Sequence, residues 1–132
     1  MFVDASALVA IAVDEPEAAM FVRAIERARR AFVSPIVMFE AAAAAMRINR
    51  WSDREALDFT SALTGTLGLE QIAIGPDIAR VAIEAFGRFG KGRHRAALNL
   101  GDCFSYGSAK SLGQALLFKG EGFALTDIEP AI

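Results

Sequence analysis

With 132 residues and 54% hydrophobic content, the chain is long enough to bury a real core and is expected to form one domain over 1–132. Its 14 bases and 16 acids leave a net charge of -2, which offers no global attraction to nucleic acid. A lone cysteine, Cys103, excludes an intrachain disulfide and suggests a reducing, cytoplasmic setting. The apolar N-terminus lacks a basic leader, and no uncharged run approaches the roughly 18 residues of a membrane span. The charge is unevenly spread. Between Ala85 and Gly120, Arg88, Lys91, Arg93, Arg95, Lys110 and Lys119 face a single acid, Asp102, so this segment holds +5 and the remainder -7.

In chain order, Phe2 and Val3 favour a strand and Ala5 to Ala12 a short helix, which places Asp4 at the strand-to-helix edge where parallel α/β sheets bind ligands. Asp4 or Ser6 is equally suited to capping that helix. Asp14-Glu15-Pro16 reads as a turn and helix start. Ala18, Phe21, Val22, Ile25 and Ala28 then recur on one face of an amphipathic helix. Ala31 to Val33 reads as a buried strand, followed by Ser34 as N-cap and Pro35 at the first helical position.

The helix from Pro35 to Met46 contains one charge, Glu40, among closely spaced alanines. A carboxylate packed in such surroundings costs several kcal/mol unless a cation or a hydrogen-bonding partner compensates it. The plainer alternatives are exposure to solvent or pairing with Arg47 or Arg50. A second helix is expected from Arg54 to about Leu67, a strand from Leu69 to Ile74, a turn at Gly75-Pro76-Asp77, and a helix carrying Ile78 to Phe89. The alternation predicts a three-layer α/β/α sandwich around a mainly parallel sheet.

Gly87 to Arg95 is a glycine-punctuated basic loop able to lie along a phosphate backbone, although most such loops are merely solvated. His94, the only histidine, has no partners for a zinc site and suits a surface or capping role. Asp102 falls near the start of a helix carrying Cys103, Phe104, Tyr106, Ala109 and Leu112, with Asn99 or Asp102 as its cap. Gln114 to Phe118 reads as the last strand, after which Glu121 offers another acid near a strand end.

Asp4, Glu40 and Asp102 are thus lone carboxylates in apolar or basic surroundings, an anomaly that a divalent cation resolves. Oxygen ligands of this kind suit Mg²⁺ or Mn²⁺ completed by waters and substrate phosphate, and support metal-assisted phosphodiester hydrolysis. A receiver-like domain shares the length and alternation but wants an adjacent acidic pair, which Asp4-Ala5 does not supply. A silent RNA- or protein-binding module is the other alternative.

The stretches Met1–Ala10 (MFVDASALVA), Phe39–Ala41 (FEA), Leu98–Tyr106 (LNLGDCFSY) and Leu116–Gly120 (LLFKG), in this order and spacing, resemble PIN-domain ribonucleases of the VapC toxin type across essentially the whole chain. The resemblance implies a PIN-like fold and a Mg²⁺-dependent endoribonuclease acting as the toxin of a toxin-antitoxin pair. It also implies RNA as substrate, inhibition by a VapB-like antitoxin, and a homodimer; no membrane attachment is expected from the apolar runs noted above. It assigns metal binding to Asp4 and Asp102, and positioning or deprotonation of the attacking water to Glu40. The family often has an aspartate before the phenylalanine of the late loop, where this chain has Gly122. Glu121 is the nearest substitute and Asp127 a more distant one; without either, a one-metal mechanism is favoured. The resemblance leaves the basic residues Lys91 to Arg95, Lys110 and Lys119 as candidates for RNA backbone or antitoxin contacts.

Overall fold

The computed structural model describes all residues from Met1 to Ile132. Four short strands, β1 (Phe2–Val3), β2 (Phe32–Val33), β3 (Glu70–Gln71) and β4 (Leu116–Leu117), form one parallel sheet in the order β3-β2-β1-β4. Phe2 is in register with Phe32 on one side and Leu116 on the other, and Val3 with Leu117. Phe2, Val3, Val33, Leu116 and Leu117 are completely buried, as expected for central strands covered on both faces. β3 is the exposed edge, anchored by the paired hydrogen bonds from Arg30 to the Glu70 carboxylate at 2.8 and 2.6 Å.

Six helices flank the sheet in a three-layer α/β/α arrangement. They are α1 (Ala5–Ala12), α2 (Ala18–Arg27), α3 (Pro35–Asn49), α4 (Asp53–Thr66), α5 (Pro76–Phe89) and α6 (Leu100–Leu112). Their starts are chemically marked. Ser34 Oγ accepts from Val37 N–H ahead of Pro35, and Ser52 and Glu55 form a reciprocal capping box. Gly113, at φ +60°, closes α6 in the left-handed region.

The path from β1 to β2 to β3 moves outward in one direction, and the α5–α6 crossover then returns the chain to place β4 on the other side of β1. The strand order therefore reverses between β1 and β4. In open parallel sheets, the carboxyl ends of the strands at such a reversal are where ligands are received. Asp4 follows β1 at this edge, and its backbone N–H donates to the Leu117 carbonyl at 2.9 Å.

Two expected features differ. The strands expected over Leu69 to Ile74 and Gln114 to Phe118 shrink to Glu70–Gln71 and Leu116–Leu117, the residues in register with β2 and β1. The glycine-rich stretch expected as a loop from Gly87 begins within α5, which continues to Phe89. No helix is long and apolar enough to cross a membrane.

Candidate active site

A cleft of ≈ 580 Å³ opens at the β1/β4 edge, and Asp4, Glu40 and Asp102 all line it. Three separate elements deliver them: Asp4 caps α1, Glu40 lies in the second turn of α3, and Asp102 in the first turn of α6. Three of the acids singled out in the sequence are thus brought to one cleft.

Asp4 is 3% exposed and caps α1. Its Oδ2 accepts from the Ser6 N–H at 2.9 Å and the Ser6 hydroxyl at 2.6 Å, so the helix-capping alternative is realised. Ser6 Oγ in turn accepts from the Lys119 backbone N–H at 3.0 Å, just beyond β4. Ser6 therefore orients Asp4 across the strand reversal and is not itself the cap. Asp4 Oδ1 is buried with no hydrogen-bond partner. A buried oxygen of this kind costs the full desolvation of an acceptor unless something outside the chain satisfies it.

Asp102 belongs to a capping box: Asn99 N–H donates to Asp102 Oδ2 at 2.8 Å, and Asp102 N–H donates to Asn99 Oδ1 at 3.0 Å. Burial raises the Asp102 carboxyl above its ordinary value and the charge of Asp4 adds to this, against the lowering effect of the Asn99 N–H. Glu40 is more strongly affected. Burial, then the charges of Asp4 and Asp102, push it up to about 7. It forms no ion pair with Arg47 or Arg50. Its carboxylate lies where a Cβ on residue 101 would be, so any side chain at 101 would push the Glu40 carboxylate from this position.

The other expected residues are placed differently. Glu121 is exposed and does not line the cleft. Asp127 is committed elsewhere: its Oδ1 accepts from the Tyr106 hydroxyl at 2.7 Å and its Oδ2 from Arg88 at 3.1 Å. Lys110 donates to the Asp127 carbonyl, and Lys119 Nζ is held between Glu15 at 2.6 Å and Glu17 at 3.1 Å. Position 122 is tight, since a Cβ there would meet the Ala96 carbonyl at 3.1 Å.

The sequence reading missed Glu15, Arg47 and Asn99 as parts of the cleft. The Asn99-x-x-Asp102 spacing was the available sign for Asn99; nothing local marks Glu15, whose partner lies 104 residues away. Cys103, pushed up to about 11 by burial and then by Asp102, is a thiol at neutral pH and no nucleophile. His94 Nδ1 accepts from Ala96 N–H at 3.1 Å and caps its own turn.

These donors suit a hard cation. They are acceptor oxygens, one is orphaned, and burial together with neighbouring negative charge raises Glu40 and Asp102. They do not form a closed cage of three ligands. That openness suits an ion held by one or two carboxylates that keeps several waters.

The fold and the acidic cleft together define a PIN domain, and the PIN-domain family model matches residues 1–129. The chain is 43% identical over 129 residues to the ribonuclease VapC of Mycolicibacterium smegmatis, with 97% of each chain covered. It is 41% identical over 137 residues to the ribonuclease VapC30 of Mycobacterium tuberculosis, covering 97% of this chain and 95% of that one. Among solved structures, the Mycobacterium tuberculosis toxin VapC20, described as cleaving the sarcin-ricin loop, superposes with a TM-score of 0.74. That match covers 96% of this chain and 95% of the other at 15% identity, a likeness of fold. The chain belongs to the VapC ribonucleases of the PIN-domain family.

Proposed function

We propose that the chain, acting as one PIN domain over 1–132, is a Mg²⁺-dependent endoribonuclease, with Mn²⁺ as an alternative ion, and the toxin of a toxin-antitoxin pair. The observation that carries this reading is the orphaned, buried Oδ1 of Asp4 in a cleft shared with Glu40 and Asp102. Asp4 and Asp102 hold the ion. When bound, it neutralises charge developing on the scissile phosphate and lowers the pKa of water.

Glu40 orients the attacking water and accepts its proton. A carboxyl poised near neutrality is matched to that task. Ser6 and Gly101 act on position, the first by fixing the Asp4 rotamer and the second by making room for Glu40. Glu121 is left out of this set because it does not line the cleft, and Glu15 because Lys119 holds it. Three working acids favour a single ion.

The names of the relatives support RNA as the substrate and a VapB-like antitoxin as the partner. A basic antitoxin side chain entering the cleft would pair with the three acids and displace metal and RNA together. Exposed Lys91, Arg93 and Arg95 are offered to RNA phosphates or antitoxin acids. A homodimer and a cytoplasmic setting complete the proposal.

The test is cleavage of a mixed tRNA and rRNA pool by purified, antitoxin-free protein in Mg²⁺, beside EDTA and an Asp102→Asn variant. Discrete cuts lost in both controls are expected. Absence of cutting by folded protein in both Mg²⁺ and Mn²⁺ would overturn the nuclease reading in favour of a silent binding module.

A further inference from the structure

The cleft collects four carboxylates, Asp4, Glu15, Glu40 and Asp102, against two cations, Arg47 and Lys119. Lys119 is consumed by Glu15 and Glu17. Arg47 is exposed and has no ion-pair partner, although acids surround the same cleft. A polyanion entering this cleft therefore meets one unengaged guanidinium. Arg47 lies seven residues after Glu40 on α3, about 10 Å along the axis, so it stands off from the reacting centre.

Phe39 lines the same cleft from the other end of this strip of α3. At 73% exposure it is the most exposed of the chain's ten phenylalanines; five are buried, and Phe86 follows at 41%. Single exposed apolar side chains are ordinary on protein surfaces. One projecting from the lining of an acidic cleft, next to Glu40, is not explained by packing.

We infer that Phe39 and Arg47 form the grip on unpaired RNA, Phe39 stacking on a nucleobase beside the scissile phosphate and Arg47 pairing with a neighbouring phosphate. An aromatic face with an adjacent cation is the combination that holds single strands, and a base inside a duplex is not free to stack on a side chain. The guanidinium fork matches phosphate oxygens, whereas a lysine offers only a point charge. The assignment rests on the nuclease reading for its substrate, but binding tests it independently of turnover.

The experiment measures fluorescence anisotropy of a labelled, unstructured oligoribonucleotide, and of the same sequence as a duplex, on Asp102→Asn protein over a range of salt. Phe39→Ala is expected to weaken single-strand binding about tenfold, with recovery in Phe39→Trp and little change for the duplex. Arg47→Ala is expected to weaken binding severalfold and to lower the log–log salt slope by about 0.7, while Arg47→Lys recovers only part. Both side chains are exposed, so unchanged melting temperatures serve as the folding control.

In otherwise intact enzyme, both alanine variants raise KM while kcat stays near wild type. Unchanged binding, salt slope and KM in both variants would overturn the assignment. So would a loss confined to antitoxin capture, which would give the strip to a protein partner. RNA binding that depends on both residues, in a wild-type protein that cuts nothing, would keep the grip and remove the nuclease reading.

Discussion

Asp102 and Asp127 both sit against α6, yet they are held in opposite ways. Asp127 meets the Tyr106 hydroxyl, the Arg88 guanidinium and Lys110, and these partners, Tyr106 first, hold its carboxyl below the ordinary value. Asp102 faces Asp4 and Glu40, and burial among like charges drives it and Glu40 upward. One set of contacts is complete within the chain and fastens the C-terminal segment to α6. The other leaves Asp4 Oδ1 without a partner in the chain. Two aspartates of similar sequence prominence are thus separated by their partners, and perturbed pKa values mark function where no partner in the chain accounts for the residue.

The strongest way to break this contrast is to remove the charges. Asp4→Asn and Asp102→Asn are expected to cut RNA cleavage by about 10³-fold, in the range seen when a group stabilising transition-state charge is lost. Asp127→Asn should leave cleavage within a few-fold and lower the melting temperature instead. Cleavage assays and thermal melts on the three variants, side by side, decide it. Equal cleavage by all three would erase the distinction.

Next in size is Gly101→Ala. The added methyl displaces the Glu40 carboxylate, and a misplacement of about 1 Å is enough to cost on the order of 10²-fold in rate. Combining it with Glu40→Gln should add little further loss, because both changes act through the same side chain. A double-mutant cycle of cleavage rates reads this directly, and full additivity would count against it.

The contrast also predicts stability of opposite sign. Glu40 titrates at about 7 when folded, against an ordinary 4.5, so the unfolded chain releases its proton first as pH rises. Stability of metal-free protein should fall as pH rises from about 4.5 to about 7 and then level off. Glu40→Gln should be more stable than wild type at about pH 8, and the gain should vanish below about pH 4. Mg²⁺ should recover part of this loss in wild type. Melts across pH, with and without Mg²⁺, test both statements.

The smallest effect belongs to the satisfied set. Tyr106→Phe removes one hydrogen bond to Asp127 and should cost about 1 kcal/mol with cleavage unchanged. Because the folded Asp127 carboxyl lies below its ordinary 3.8, the stability it provides is fully present above that value and lost as pH falls through the folded one. The Tyr106→Phe deficit should therefore shrink in acid. Denaturant melts at neutral and acid pH would show it.

Much of the site was legible because its acids interrupt apolar runs. Asp4 ends a β-forming pair, Glu40 stands among alanines, and Asp102 is the sole acid of a basic segment. Caps were legible too, since Ser34-Pro35 is a local signal. What stayed hidden depends on distance along the chain. Asp127 could not be assigned away from the cleft without knowing that Tyr106 and Arg88 reach it, and Lys119 read as a free cation until Glu15 and Glu17 were brought beside it. The short 3₁₀ turn at Phe123–Leu125 has no periodicity to announce it. Gly101 looked like one glycine among 11, and its meaning lies in the side chain it makes room for.

The hydrogen bonds from Asp4 N–H to Leu117 and from Lys119 N–H to Ser6 carry a consequence for synthesis. During translation Asp4 is made long before the strand that fixes it, since the Ser6–Lys119 contact spans 113 residues of chain. A nascent chain arrested after Gly113 already contains Asp4, Glu40 and Asp102 yet has no β4 to hold Asp4 in place. Ribosome-bound chains of that length should cut no RNA.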